Sequence, residues 1–199
     1  RTLERYALDR NWDCGEGFIE GARGVSRPAG HIIGKPLLPS EAVTEAGIDA
    51  TAITVAPDKP IEGPRSEKRF TPPMLLVREH MDLYHGLWRE HYLTYKNKLV
   101  GFCSRESDFA RLQAVDAWLG SQDRALRAFL AAISVRLFTQ KATTLAGHDI
   151  LNLPYPDKEG LDLSPHEQIL VDDIVDHYRD LILHGEDSAA MKLAEAADL

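Results

Sequence analysis

The chain has few cysteines, no long apolar run, and little sequence in its first half that could form an unbroken helix. Its two cysteines, Cys14 and Cys103, cannot build a disulfide framework or supply all the ligands of a structural zinc site. No run reaches the roughly 18 consecutive apolar residues of a membrane-spanning helix. Both cysteines are therefore expected to be reduced core thiols of a cytoplasmic protein with no membrane partner.

The charge of the chain is unevenly distributed along its 199 residues. Acidic residues outnumber basic ones, 31 against 23, and the net charge of −8 argues against DNA binding by net charge alone. However, residues 164–199 hold 9 acidic and 2 basic residues, whereas residues 58–105 hold 6 acidic and 9 basic residues. This distribution permits DNA contact through one face of the middle of the chain but does not predict it.

The first half has the pattern of short strands separated by turns. Its frequent glycines and prolines exclude long helices. Short apolar runs bounded by turn residues predict strands at residues 31–38, 52–55 and 74–78. Residues 92–104 predict a hairpin, in which a polar turn at residues 96–98 joins two strands.

The second half has helical periodicity. Apolar spacing predicts helices at residues 108–119 and 125–140, the second with Ser121 as its N-cap. Residues 164–167 form a capping box with proline at the first helical position, so a long helix should begin there. Residues 189–199 predict a further short helix or a frayed end.

Together these patterns predict an α+β fold, with an irregular, mixed β-rich first half packed against two or three C-terminal helices. Composition divides the chain into residues 1–163 and an acidic helical extension, residues 164–199. The sequence begins at Arg1 without a signal-peptide pattern, and residues 2–10 already have the character of a structural element. We therefore expect the chain to be a piece of a longer protein.

Two short motifs invite a catalytic interpretation that their context does not favour. Residues 14–18 (Cys-Gly-Glu-Gly-Phe) are similar to a cofactor-binding glycine loop, but no apolar strand precedes them and nearby glycines prevent a following helix. A glycine-rich turn between strands is the favoured interpretation. Residues 152–155 (Asn-Leu-Pro-Tyr) are similar to the Asn/Asp-Pro-Pro-aromatic tetrad of adenine methyltransferases, but Leu153 replaces the first proline. We expect no catalytic residue in this chain.

Several side chains that could act as metal ligands lie close together in one stretch of the sequence. They are Glu79, His80, His85, Glu90 and His91. The histidines are not spaced for one helical face, so satisfied core or surface histidines are favoured over a metal site. A small metal hydrolase remains a third hypothesis for the chain.

Several separate stretches resemble one family in the same order along the chain. The family is the C-terminal target-recognition domain of bacterial DNA adenine methyltransferases of the type IIG restriction–modification kind. The similar stretches are residues 12–21, 31–39, 64–65, 69–79, 98–103, 125–139 and 152–156.

The resemblance implies a non-catalytic module that docks duplex DNA against a separate methyltransferase domain, which flips the target adenine out of the duplex. That domain would lie N-terminal in the parent chain and hold S-adenosylmethionine, so no cofactor is expected in this chain. The resemblance supplies no fixed base-contacting residues. The alternative hypothesis is a protein-interaction module whose acidic C-terminal helix docks a partner subunit.

The residues expected to contact DNA are basic and lie in or beside predicted loops and turns, where binding groups concentrate. Lysine and arginine in such places grip phosphates or guanine edges. The candidates are Lys35, Arg65, Lys68, Arg69, Lys96 and Lys98.

Overall fold

A computed structural model describes residues 1–21, 29–62, 65–134, 144–155 and 163–184, with side chains up to residue 177. Strands fill the first half and most helices follow, which confirms the predicted α+β class. The helices are α1 (Leu3–Leu8), α2 (Phe109–Ser121), α3 (Asp123–Ile133), α4 (Gly147–Leu151) and α5 (Pro165–His184). The strands are β1 (Asp13–Glu16), β2 (Ile19–Glu20), β3 (Pro36–Leu38), β4 (Val43–Thr44), β5 (Gly47–Ile48), β6 (Thr54–Val55), β7 (Ile61–Glu62), β8 (Met74–Arg78), β9 (His85–Trp88), β10 (Thr94–Tyr95) and β11 (Leu99–Cys103).

The central sheet is antiparallel, with strand order β1-β11-β8-β9. Its two middle strands, β8 and β11, are apolar almost throughout because both faces of the sheet are covered. Successive side chains of a strand point to opposite faces, so each strand feeds two cores. The predicted strand at residues 74–78 is confirmed.

The first core lies between the sheet and α1 to α4. Leu75, Val77, Val100 and Phe102 supply its sheet side. The helices cover them with apolar residues that include Leu3, Leu112, Val115, Leu126, Leu130 and Ile150. This face of the sheet is the one that the helical second half of the sequence buries.

The second core lies on the other face, under short strands and loops. Met74, Leu76 and Leu99 project into it from the central sheet. Three small sheets enclose it, with strand orders β10-β3-β6, β2-β7 and β4-β5. Its large buried side chains include Phe18, Phe70, Trp88 and Tyr95.

The predicted hairpin at residues 92–104 is wrong, although both of its strands form. β10 pairs in parallel with β3, whereas β11 pairs with β1 and β8. The Tyr95 and Leu99 carbonyls accept from the Phe18 and Gly17 amides at 3.0 and 3.2 Å, so the segment that follows β1 takes the place of the expected hairpin pairing. The two strands therefore belong to different sheets.

Two predicted strands in the first half are shorter than expected. At residues 31–38 only β3 is a strand, since the amides of Ile32 and Ile33 bond to the Ala29 carbonyl in a turn. At residues 52–55 only β6 is extended, because a 3-10 helix, Ala50–Ala52, precedes it. Asp49 caps that helix by accepting from the Thr51 amide at 2.9 Å.

The sequence predicted α2, α3 and α5 but did not predict α1 or α4 as helices. α2 confirms the predicted helix at residues 108–119, but Ser121 ends α2 and donates to the Trp118 carbonyl instead of capping α3. α3 confirms the predicted helix at residues 125–140 only as far as Ile133, since Ser134 is extended, with a ψ of 122°, and ends the helix. Residues 135–140 and residues 189–199 lie outside the described residues.

The capping box at the start of α5 is confirmed. The Ser164 hydroxyl accepts from the Glu167 amide at 3.3 Å, and the Glu167 carboxylate accepts from the Ser164 amide at 2.8 Å. This reciprocal pair satisfies amide groups that the first turn of a helix leaves without partners. None of the helices in the described part of the chain combines the length and apolarity needed to cross a bilayer.

The Asn-Leu-Pro-Tyr motif closes the first core against the N-terminal segment. The Leu3 amide donates to the Leu153 carbonyl at 2.8 Å, and the Tyr155 amide donates to the Arg1 carbonyl at 2.9 Å. The Tyr155 ring packs between Tyr6 and Trp118 with centroid distances of 4.4 and 4.9 Å. The motif therefore has a packing role that explains its aromatic residue.

The two cysteines lie on neighbouring strands but face different cores. Cys14 is opposite Phe102 and packs on the first core, whereas Cys103 lies in the second core. The sheet therefore separates the two sulfur atoms and prevents a disulfide. Burial is the main reason that the pKa of Cys14 rises to about 11 and that of Cys103 to about 12.

Both thiols are expected to react slowly with alkylating reagents in the folded protein. The thiolate is the reactive form, and a rise of the Cys14 pKa from 9.0 to about 11 lowers its thiolate fraction about 100-fold at pH 8. Rates measured with iodoacetamide at pH 8 should rise for both residues in denaturant. If Cys14 in the folded protein reacted as fast as a fully exposed thiol, the burial described here would be contradicted.

Candidate nucleic-acid interface

Arg69 holds the open edge of the central sheet. Its guanidinium donates to the carbonyls of Cys14 and Glu16 at 2.6 and 2.7 Å and forms an ion pair with Asp13. These two carbonyls are two residues apart on the outer strand β1, so both point away from β11. The planar, forked guanidinium takes the place that a further strand would occupy.

The glycine of the Cys-Gly-Glu-Gly motif makes this arrangement possible. Gly15 has a φ of +130°, and a Cβ atom there would lie 2.8 Å from the Arg69 guanidinium. Only glycine adopts such a conformation readily and leaves space for the arginine. The motif is thus mostly a strand, β1, rather than the glycine-rich turn that the sequence favoured.

The six predicted DNA-contacting residues fall into three groups. Arg69 has a side chain only 13% exposed, and all three of its guanidinium nitrogens bond within the protein, so it has a structural position. Arg65 bonds the Gly17 carbonyl at 3.2 Å and lies 3.8 Å from Glu16, and Lys96 lies 2.7 Å from Glu20. These two residues are partly engaged within the protein.

The third group is exposed and unpaired. Lys35, Lys68 and Lys98 are exposed and form no ion pair with any described residue. Lys98 precedes β11, whereas Lys68 lies near Cys103 at the other end of that strand. The predicted set therefore does not form one continuous surface.

A cleft of about 680 Å³ brings Lys68 close to a second cation, Arg105, that forms no ion pair with a described residue. Arg105 is exposed and precedes a 3-10 helix, Glu106–Asp108, without capping it through its side chain. The lining residues are Leu8, Asn11, Trp12, Asp13, Lys68, Thr71, Cys103, Ser104 and Arg105. Because Arg69 neutralises Asp13, the cleft has a local excess of positive charge.

The walls of the cleft are fixed by buried contacts. The Trp12 indole donates to the Asp108 carboxylate at 3.2 Å, which is the main reason that the pKa of Asp108 is lowered. Phe70, which is fully buried, anchors the 3-10 helix Glu67–Phe70 that carries Lys68. A cation on a rigid support loses less freedom when it binds an anion.

Sequence reasoning missed Arg105. The signal that could have found it is its position two residues after the apolar strand β11, where the chain leaves the sheet. Asn11, Thr71 and Ser104 add uncharged polar groups to the same cleft. The arrangement suits a phosphate-bearing ligand, since cations and hydroxyl or amide groups are the usual phosphate contacts.

The histidines that suggested a metal hydrolase are dispersed among different partners. His80 lies 3.0 Å from Asp82, and His85 lies 3.8 Å from Asp116. His91 packs edge-on against Trp88. Among the residues that the structure describes, no three metal-capable side chains converge.

The chain was also compared with known proteins. No protein-family model matches it, and no curated protein matches it. Functional inference therefore depends on the geometry of the cleft and on the sequence resemblance.

Proposed function

We propose that this chain is the duplex-DNA recognition module of a restriction–modification or phage-defence DNA adenine methyltransferase. The chain itself would not be catalytic. A separate domain, N-terminal in the parent chain and holding S-adenosylmethionine, would transfer the methyl group. The free thiols Cys14 and Cys103 fit the cytoplasmic location that this function requires.

The observation that carries the proposal is the pair of exposed cations, Lys68 and Arg105, on the rigid rim of one cleft, where neither forms an ion pair with a residue that the structure describes. Together with the order of family-like stretches, this pair favours DNA over an uncharged ligand. Of the six residues named from sequence, Lys68 is kept as a phosphate contact. Arg69 is assigned to stability, and Lys98 is too remote to share the cleft.

Replacement of Lys68 and Arg105 together by alanine should weaken binding to duplex DNA at least about tenfold. It should also lower the slope of log affinity against log salt by about 2, since each lost phosphate contact removes about one unit. Fluorescence anisotropy with a labelled duplex across a range of salt concentrations measures both quantities.

Lys98→Ala is the matched control, because it removes an exposed lysine at the opposite end of β11. It should leave affinity and salt slope close to those of the unmodified chain. All of these positions are exposed, so unfolding midpoints should change little. Equal losses in the control and the double variant would refute the cleft as the DNA contact.

A further inference from the structure

Large apolar side chains of α5 are exposed in the part of the chain that the structure describes. On α5, Ile169, Leu170 and Ile174 are 58%, 49% and 41% exposed. Leu170 and Ile174 are four residues apart and therefore adjacent on one helical face. Exposed large apolar groups that are contiguous mark a contact surface more often than scattered ones do.

The opposite face of α5 packs against α3. Val175 is buried, and Arg124 of α3 reaches across to Asp172 at 2.7 Å and Asp176 at 3.4 Å. The contact with α3 thus uses a different side of α5 from Leu170 and Ile174. The exposed apolar face, defined here as Leu170 and Ile174, is available to a partner. Ile169 lies beside Asp172, on the flank of the helix that faces Arg124.

The charge around this face identifies what kind of partner fits. The stretch 165–177 contains four carboxylates and no lysine or arginine. Asp172 and Asp176 are paired with Arg124, whereas Asp173 has no partner among the described side chains. Asp173 is three residues after Leu170 and therefore neighbours it on the helix surface. A ligand on the exposed face would thus meet an unneutralised carboxylate.

We propose that the exposed face of α5 docks an amphipathic helix whose apolar stripe is flanked by lysine or arginine. Helices bind such surfaces by laying apolar residues at i, i+3 and i+4 spacing against them. A second copy of α5 fits less well, because two copies would bring carboxylates together without a described cation between them. This surface is separate from the cleft and does not depend on DNA binding.

The probe for this proposal is a labelled synthetic helical peptide with a leucine stripe flanked by lysines, added to the full chain. A peptide of the same pattern with glutamates in place of lysines is the charge control. Leu170→Gln with Ile174→Gln should weaken binding of the lysine peptide more than about tenfold, since apolar contact area is lost. Asp173→Asn should weaken it by a few-fold and reduce its salt dependence.

Val55→Gln is the matched substitution, because Val55 is 67% exposed on β6, away from α5. It should leave peptide affinity unchanged, and circular dichroism should show that all variants retain their helix content. Equal affinity of the double glutamine variant, or equal binding of the glutamate peptide, would overturn the proposal. So would a dimer in sedimentation analysis that the double glutamine variant converts to monomer, since a second copy would then be the occupant.

Discussion

Replacing Arg69 by alanine should lower the free energy of unfolding by about 3 kcal/mol, because it removes hydrogen bonds from a largely buried charged group and leaves Asp13 without its partner. For a chain of this size, that loss corresponds to a fall of about 6–12 °C in Tm. Chemical denaturation followed by circular dichroism measures the change directly.

The conservative variant Arg69→Lys separates charge from geometry. Lysine keeps the positive charge but lacks the planar fork that reaches two carbonyls and a carboxylate at once. It should therefore recover less than half of the lost stability. Lys68→Ala, at the adjacent exposed position, should change stability by less than about 0.5 kcal/mol. If Arg69→Ala changed the free energy of unfolding as little as Lys68→Ala, Arg69 would not stabilise the sheet edge as described.

Gly101→Ala should destabilise the protein by at least about 3 kcal/mol, at the upper end of the usual cost of overpacking a core. A Cβ atom at Gly101 would lie 1.8 Å from the Tyr95 hydroxyl and 2.6 Å from the ring carbon that bears it. The Tyr95 ring is fully buried, and its hydroxyl donates to the Arg69 carbonyl. The ring must therefore shift and lose that hydrogen bond.

A second glycine provides a control of opposite sign. Gly120 lies inside α2, is exposed, and a Cβ atom there would meet only the His85 ring at 3.9 Å. Alanine favours the helix more than glycine does, so Gly120→Ala should stabilise the protein by about 0.5–1 kcal/mol. Denaturation of both variants side by side should give changes of opposite sign. A neutral Gly101→Ala would mean that the two cores are not packed as described.

The sequence predicted the elements that depend on neighbouring residues, namely an apolar strand and a helix start. The apolar run at residues 74–78 became β8, and the capping box at residues 164–167 began α5 where expected. Strand pairing was not predictable in the same way. β10 pairs with β3, which lies more than 50 residues earlier, and a partner at that distance leaves no short-range signature in the sequence.

The sequence predicted only part of the candidate site. A basic residue in a predicted loop has the same local pattern whether it faces solvent, as Lys68 does, or bonds the sheet edge, as Arg69 does. The distinction depends on Asp13 and the open edge of β1, which lie more than 50 residues away. Arg105 was missed for a similar reason, since its neighbour in the cleft is distant in sequence.

The most direct test of DNA recognition at the cleft is a titration of the isotopically labelled chain with a duplex of about two helical turns. Backbone amide chemical shifts report which residues the DNA approaches. The largest changes should fall on Lys68, Thr71, Ser104 and Arg105, with little change at Lys98. An absence of shifts at low salt, or shifts centred on Lys98 or α5, would contradict the account.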